Sequence, residues 1–297
     1  MMKLNLSVWG CRGSFPLIGA VSAYGIQTSC FTLESERALY ILDAGSGLRI
    51  FLRDYENKSG TDRKPVHLFL SHLHHDHVSG LFDCQSLAAV SEEIHIYGPA
   101  GQNSSLKNEL DRLIGPPYWP LPFSELCAGK VIYHDLLPGM KIAAGDLCVS
   151  TAAAPHPDGC LWYRFEAAYT EREAVCPGSS GGALSGTPLR SGFLYGLDGE
   201  LKEEVFPELG GFAAGAGTAI LDAQFSPEEL PLRKGWGHAS YIECLRLAEA
   251  ADIENVLLSH FSPAYSDEEL DEMSSAAASV SDRAVFVREG MQIELYL

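Results

Sequence analysis

Two spacings of hydrophobic residues alternate along the chain, and together they predict an α/β protein. Some segments alternate apolar and polar residues or form short apolar runs, which is typical of strands. Others repeat apolar residues every three to four positions, which indicates helices that bury one face. The predicted strands are residues 3–9, 26–34, 37–42, 66–70, 93–97, 131–134, 147–153, 160–167, 192–197, 218–221, 255–259, 283–287 and 292–297. The predicted helices are residues 48–55, 78–90, 102–114, 200–209, about 240–250, and 267–280.

The strands fall into two groups, before and after about residue 145, and each group includes helices. This layout predicts a four-layer αββα sandwich, with helices outside two packed sheets. We expect a single domain over residues 1–297, with halves of about 1–145 and 146–297. Residues 171–190 are rich in Gly, Ser and Pro and separate two strands of a predicted hairpin. This composition predicts a mobile insertion and not a separate domain.

The composition narrows the classes of partner and compartment. The formal net charge is −18, which disfavours a long polyanion as a partner. The N-terminal strand does not resemble a signal peptide, and no apolar stretch is long enough to cross a membrane. The eight cysteines include no CxxC pair, so we expect reduced thiols and a cytoplasmic protein. A homo-oligomer is compatible with the sequence.

Four histidines and one aspartate fall within residues 71–77. This segment follows the buried strand 66–70 and precedes the helix 78–90. It therefore lies at the carboxyl end of a strand, which is where ligands bind in open α/β sheets. The alternative interpretation is a solvated surface loop, but the position directly after a buried strand favours a functional site.

The spacing within this segment suits metal ions. His72 and His74 are two residues apart in an extended segment, so their side chains point the same way. Asp76 and His77 turn into the helix and can face a second ion. Imidazole and carboxylate ligands together suit zinc, iron or manganese.

Three more polar residues directly follow apolar strands, namely His156, Asp222 and His260. His156 lies between two prolines, which hold its backbone rigidly. A lone aspartate such as Asp222 is usually a cap or turn residue. In this position it also suits a carboxylate that bridges two metals. Together with His72, these residues predict a site at one edge of the paired sheets.

Three other positions have both a structural and a functional interpretation. Asp43 ends a strand and is either a helix N-cap or a carboxylate that orients a ligand histidine. The Gly-rich segment 10–16 is either a plain turn or a loop at the rim of the site, where Arg12 or backbone N–H groups bind phosphate. His238 lies near the start of a helix. It is either a structural contact at the helix terminus or a proton donor to a substrate.

These motifs resemble the metallo-β-lactamase superfamily. The cluster 71–77 is similar to its HxHxDH signature. The segments around Asp43, His156, His238 and His260 resemble those of its phosphodiesterase branch, which includes transfer-RNA 3′ endonucleases and cyclic-phosphate phosphodiesterases. The resemblance covers nearly the whole chain and implies two divalent metal ions, zinc by expectation, with manganese or iron as alternatives.

The resemblance also implies the ligands. By this likeness, His72, His74 and His156 bind one metal, Asp76, His77 and His260 bind the other, and Asp222 bridges them. Asp43 would not bind a metal itself but would orient a ligand histidine through a hydrogen bond. His75, inside the cluster, is not expected to bind a metal.

The function implied is a metal-dependent hydrolase, with a phosphodiesterase of small cyclic or linear phosphodiesters as the first choice. In this hypothesis a hydroxide shared by the two metals attacks phosphorus, Asp76 accepts its proton and His238 protonates the leaving oxygen.

The insertion 171–190 holds only two positive residues, so we expect no tight binding of nucleic acid. The alternatives are a lactonase or thioesterase on the same scaffold, and a metal-binding sensor without enzymatic activity.

Overall fold

The computed structural model describes residues 1–19, 21–58, 63–101, 104–127, 129–168 and 191–297. Within these ranges the strands are β1 Lys3–Gly10, β2 Cys30–Glu34, β3 Leu39–Leu42, β4 Val66–Phe69, β5 Ile94–Pro99, β6 Val131–Leu136, β7 Lys141–Ala144, β8 Leu147–Ala154, β9 Cys160–Ala167, β10 Phe193–Gly196, β11 Thr218–Asp222, β12 Asn255–Ser259, β13 Ala284–Phe286 and β14 Gln292–Tyr296. The α-helices are α1 Gly47–Lys58, α2 His75–Val78, α3 Cys84–Val90, α4 Leu106–Leu113, α5 Phe123–Leu126, α6 Phe206–Ala213, α7 Tyr241–Ala250 and α8 Asp267–Val280.

The strands of the described residues form two seven-stranded sheets. The first sheet has the order β14-β1-β2-β3-β4-β5-β6, and the second has the order β13-β12-β11-β10-β9-β8-β7. The last strand therefore closes the first sheet, where Leu6 of β1 lies opposite Ile293 of β14 in an antiparallel pair. The predicted four-layer αββα architecture is confirmed.

The inner strands β3, β4 and β5 of the first sheet divide their side chains between two cores, because successive residues point to opposite faces. On β4, Leu68 packs in the cluster that includes helices α1, α3 and α4. Its neighbour Phe69 packs in the cluster that joins the two sheets. The Phe69 ring meets Tyr163 and Phe165 of β9 edge to face, with ring centroids 5.3 and 5.2 Å apart. These contacts fix how the two sheets stack.

The strand directions bring several chain segments to one edge of the sandwich. Strands β3 and β4 are parallel neighbours in the first sheet, and β10, β11 and β12 are parallel neighbours in the second. Strand β8 runs in the same direction as β10, because both pair antiparallel with β9. The carboxyl ends of these strands consequently meet at the same edge, and the polar residues that follow them converge there.

The helix predicted over residues 200–209 begins later, as α6 at Phe206–Ala213. Pro207 explains the difference, since a proline is tolerated in the first turn of a helix but not in its interior. Strand β7 and the single-turn helix α5 were not predicted. Residues 171–190, the predicted insertion, lie outside the described residues.

Two expectations about the chain as a whole have different outcomes. No helix among the described residues is long and apolar enough to cross a membrane. Within the described part of the chain, six cysteines are free and buried, whereas Cys148 is disulfide-bonded. The expectation of reduced thiols is therefore wrong for that residue. The single-domain division and the cytoplasmic location stay predictions.

Candidate metal centre

The first group of candidate ligands consists of His72, His74 and His156. Their ring nitrogens lie within 4.8 Å of one another, and His74 Nδ1 is 3.0 Å from His156 Nε2. His72 and His74 follow β4 of the first sheet, whereas His156 follows β8 of the second. The group exists only because the two sheets meet at this edge.

The second group consists of Asp76, His77 and His260. The Nε2 atoms of His77 and His260 are 3.2 Å apart, and His260 Nε2 is 3.2 Å from Asp76 Oδ2. Asp76 and His77 lie on the short helix α2 directly after the first ligand pair, as the spacing predicted. His260 follows β12, so this group also draws on both sheets.

A buried aspartate that the sequence analysis did not identify, Asp198, lies between the two groups. Its Oδ2 atom is 3.6 Å from His72 Nε2 and 3.7 Å from His156 Nε2. Its Oδ1 atom is 3.3 Å from the Nε2 atoms of both His77 and His260. Each carboxylate oxygen thus faces a different group of histidines. The signal was present in the sequence, since Asp198 follows the apolar strand β10 almost directly.

Asp222, for which the sequence suggested the bridging position, has both of its oxygens engaged elsewhere. Oδ2 accepts a hydrogen bond from His238 Nδ1 at 2.9 Å, and Oδ1 accepts one from the backbone N–H of Gln224 at 2.9 Å. Oδ1 also lies 3.6 Å from His260 Nδ1. Asp222 therefore belongs to the same cluster of side chains, but its hydrogen bonds are to His238 and to the backbone of Gln224.

Asp43 orients the second group from behind. His77 Nδ1 donates to Asp43 Oδ2 at 2.7 Å, which leaves Nε2 facing the candidate centre. The backbone N–H and hydroxyl of Ser71 and the hydroxyl of Tyr195 also donate to this carboxylate, at 2.7, 2.8 and 2.7 Å. Such partners fix the tautomer and the ring orientation of a metal-binding histidine. Tyr195, three residues before Asp198, was not identified from the sequence.

His156 is oriented by the backbone of a distant loop. Its Nδ1 donates to the carbonyl oxygen of Gly237 at 2.8 Å. Gly237 has a φ of +83°, and a Cβ atom built on it would lie 2.2 Å from His156 Nδ1. Only glycine fits at this position. The same loop continues into His238, so one segment positions both a candidate ligand and the candidate proton donor.

Backbone strain is concentrated around this centre. Among the described residues, six that are not glycine have a positive φ, and Ser14, Asp43, Asp158, Asp198 and His260 are the five at or beside the candidate centre. Such conformations cost free energy and persist where the surrounding structure imposes them, most often at functional sites.

The buried charges of the centre perturb one another. Burial lowers the pKa of His72 well below its usual value, and the neighbouring His77 adds to this effect. Burial also lowers the pKa of His260, but Asp198, Asp222 and Asp76 outweigh it and raise the pKa to about 10. Burial opposes ionisation of Asp198, yet His260 and His77 hold its pKa well below the usual range. Buried carboxylates stay ionised when positive charge lies close to them. This cluster therefore favours the binding of a cation.

The donor set fits divalent metal ions. Of the buried polar atoms without a hydrogen-bond partner among the described residues, three belong to the candidate centre, namely His72 Nε2, Asp198 Oδ1 and His260 Nδ1. Buried polar atoms are normally paired, and two of these three face the other donor atoms of the candidate centre. Imidazole nitrogens and carboxylate oxygens that converge in this way suit zinc, manganese or iron.

The segment 10–16 does reach the site, but not through Arg12. The Arg12 side chain is fully buried and donates to the carbonyl oxygens of Gly25, Ser262 and Tyr265 and to the Ser22 hydroxyl. The interpretation of Arg12 as a phosphate-binding residue is wrong, because its donors hold the loop together. Ser14 is the residue of this segment that contacts the centre, through a hydrogen bond from its backbone N–H to Asp76 Oδ2 at 2.6 Å.

Comparison with known proteins places this geometry in context. Residues 40–261 match a family model described as a beta-lactamase superfamily domain. A ribonuclease Z of Bacteroides fragilis is 23% identical over 99% of this chain and 100% of its own length. The metallo-beta-lactamase fold protein YhfI from Bacillus subtilis is 19% identical, with a TM-score of 0.69 over 99% of this chain and 100% of its own. Human tRNase Z, short form, is 16% identical, with a TM-score of 0.65 over 99% of this chain and 100% of its own.

Proposed function

Because this chain belongs to the beta-lactamase superfamily, we propose that it is a dinuclear metal-dependent phosphodiesterase. The observation that carries the proposal is Asp198, whose two carboxylate oxygens face two separate groups of ligands. A carboxylate placed in this way is suited to bridge two ions. Beside this double centre lies a histidine–aspartate pair that is suited to move a proton.

The residues that would hold the ions follow from these distances. His72, His74 and His156 form one binding group, Asp76, His77 and His260 form the other, and Asp198 contributes one oxygen to each. We assign the bridge to Asp198 in place of Asp222, because Asp222 is engaged by His238. Bound divalent ions would supply Lewis acidity that stabilises negative charge developing on the phosphoryl oxygens.

His238 is proposed to protonate the leaving oxygen. An ionised carboxylate can only accept hydrogen bonds, so His238 Nδ1 carries the proton that Asp222 Oδ2 accepts. The Nε2 atom of His238 is then the nitrogen left for a substrate. Asp222 holds the imidazole in this tautomer and orientation. We retain Asp76 as the group that accepts a proton from the attacking water.

The substrate is proposed to be a small cyclic or linear phosphodiester. The names of the relatives make RNA the competing substrate, since the Bacteroides protein is called a ribonuclease Z. The net charge of −18 opposes that alternative, because RNA binding requires positive groups that neutralise phosphates. A thioesterase reaction is a weaker alternative, because the Asp222–His238 pair is most useful where a basic oxygen must leave, and a thiolate leaves without a proton. A lactone expels an alkoxide, so the comparison of lactone with phosphodiester substrates decides the case of a lactonase.

One substrate panel tests these possibilities. The metal-loaded protein is assayed with bis(p-nitrophenyl) phosphate, a 2′,3′-cyclic nucleotide, a precursor transfer RNA, a lactone and a thioester. We expect metal-dependent hydrolysis of the small diesters with kcat/KM at least tenfold above that of the other classes. Turnover of the lactone or thioester alone would overturn the phosphodiesterase assignment. Efficient cleavage of the precursor transfer RNA would overturn the small-substrate assignment.

A further inference from the structure

Ser14 occupies an unusual position at the mouth of the metal centre. Its side chain is exposed, and its backbone has a φ of +62°, which is rare for a residue with a Cβ. A hydrogen bond from the backbone N–H of Ser14 to Oδ2 of Asp76, at 2.6 Å, accompanies this strained conformation. The serine is thereby fixed to one of the candidate metal ligands through its main chain, while the residue itself remains exposed.

Gln224 fixes the hydroxyl from the opposite side. The Gln224 side chain is 3% exposed, and its Nε2 donates to Ser14 Oγ at 2.9 Å. The backbone N–H of Gln224 in turn donates to Asp222, the partner of His238. Ser14 therefore joins two parts of the site, Asp76 in the metal centre and the Asp222–His238 pair.

The hydrogen-bond capacity of a serine then determines what Ser14 can bind. A hydroxyl has one proton to donate and two lone pairs, and Gln224 occupies one lone pair. The proton is left for a partner outside the chain, which must be an acceptor. The guanidinium of Arg12, on the same loop, donates its hydrogen bonds to carbonyl oxygens of the chain. Ser14 is therefore the side chain of this loop that can recognise an anion beside the metals.

We propose that Ser14 is a phosphate-binding residue, whose hydroxyl donates to a non-bridging oxygen of the phosphoryl group while Gln224 fixes its direction. The inference deepens the proposed function, since it assigns a further contact to the same substrate. Its test does not depend on turnover, because inorganic phosphate carries the same oxygens as the phosphoryl group of a diester.

The experiment measures binding of inorganic phosphate to the metal-loaded protein by titration calorimetry, for the wild type, Ser14→Ala and Ser14→Gly. Both variants lose the hydroxyl, but only glycine adopts the positive φ without strain. The backbone N–H to Asp76 is available in both. We expect phosphate affinity to fall about tenfold in both variants, the scale of one hydrogen bond to a charged group. Metal content, measured by elemental analysis, should equal that of the wild type.

Steady-state kinetics give an independent measurement. A contact made equally to the bound substrate and the transition state raises KM and leaves kcat little changed. We expect Ser14→Gly to show this pattern with bis(p-nitrophenyl) phosphate. A loss of phosphate affinity in Ser14→Ala but not in Ser14→Gly would show that strain, and not the hydroxyl, is responsible, and would overturn the inference.

The remaining outcomes separate this inference from the proposed function. A wild type that hydrolyses diesters, together with variants that bind phosphate as tightly as it does, would overturn the role of Ser14 and leave the phosphodiesterase assignment standing. A wild type that binds phosphate but hydrolyses no diester would overturn the phosphodiesterase assignment. In that case, weaker binding of phosphate by both variants would still support a phosphate-binding role for Ser14. A metal-loaded wild type that binds no phosphate would overturn the inference.

Discussion

His238 donates from Nδ1 to Oδ2 of Asp222 across 2.9 Å. The His238 ring also lies 5.2 Å from that of His156 and 5.2 Å from that of His260, which belong to different groups of candidate ligands. The proposed proton donor is therefore adjacent to both groups, and its Nδ1 atom is held in place by a carboxylate that is almost fully buried.

Replacing His238 by alanine should affect substrates according to the basicity of their leaving group. An alkoxide, as in a 2′,3′-cyclic nucleotide, needs a proton when it leaves, whereas a nitrophenolate barely does. We expect His238→Ala to lower kcat/KM about a hundredfold on the cyclic nucleotide, the scale of general acid catalysis. The loss on bis(p-nitrophenyl) phosphate should be much smaller. Equal losses on the two substrates, or loss of metal, would assign His238 a binding or structural role instead.

The two aspartates of the second sheet should behave differently when replaced. Asp198→Ala removes the carboxylate that faces both groups of histidines, so we expect less than two metal ions per chain by elemental analysis and a loss of activity greater than a hundredfold. Asp222→Ala removes the partner of His238, and we expect two metals to remain while activity on a cyclic nucleotide falls about 10–100-fold, as for other partners that orient a functional histidine. Full activity with a single bound ion would contradict the dinuclear proposal, and loss of metal only in Asp222→Ala would return the bridge to Asp222.

Transfer RNA should not bind tightly. The chain carries 39 acidic and 21 basic residues, and tight binding to RNA depends on several contacts between positive side chains and phosphates. We expect dissociation constants for transfer RNA to exceed about 1 μM at physiological salt, measured by fluorescence anisotropy across a salt series. Submicromolar affinity that weakens steeply with salt would contradict this prediction.

The stability of the fold should fall in mild acid because of His67. This side chain is buried between the stacked rings of Tyr40 and His95, and burial lowers its pKa from 6.5 to about 4. Above pH 6.5 it is neutral in both the folded and the unfolded chain. Between pH 6.5 and 4 only the unfolded chain gains the proton, so the free energy of unfolding should fall by roughly 3 kcal/mol.

His67→Phe is the matched variant for this measurement. It retains a ring in the stack, but it removes the titrating group and the hydrogen-bonding contact with the Tyr97 hydroxyl. Loss of that contact should lower stability by the same amount at every pH. Urea unfolding at pH 7 and pH 4.5 should therefore give a smaller pH difference for the variant than for the wild type. Equal differences would show that His67 does not cause the acid sensitivity.

The sequence predicted those site residues that form a pattern with their neighbours. The spacing of residues 71–77, and the positions of His156 and His260 after apolar strands, were sufficient to place them together. Asp198 follows β10 much as Asp222 ends β11, so the sequence offers two candidates for one bridging carboxylate. The choice between two aspartates at neighbouring strand ends depends on where each carboxylate points, and the sequence does not contain that information.

Contacts between distant segments explain the other differences. Arg12 lies in a Gly-rich loop that favours an exposed side chain, yet carbonyl oxygens from residues 25, 262 and 265 surround its guanidinium. In the sequence, Tyr195 fits the apolar pattern of a buried strand. Only the stacking of the two sheets brings its hydroxyl to Asp43. The order of elements and the fold class were accessible because they depend on local periodicity.

Both groups of candidate ligands take members from each sheet, and this has a consequence for the lifetime of the protein. Neither half of the chain alone holds a complete set, so ions would bind the closed sandwich and not the unfolded chain. A ligand that binds only the native state raises its stability by about 2.7 kcal/mol when present at a hundred times its dissociation constant. The ions would then clamp the two sheets together as well as support catalysis. Metal starvation should therefore shorten the survival of the folded protein in the presence of proteases, because chains without ions open more often.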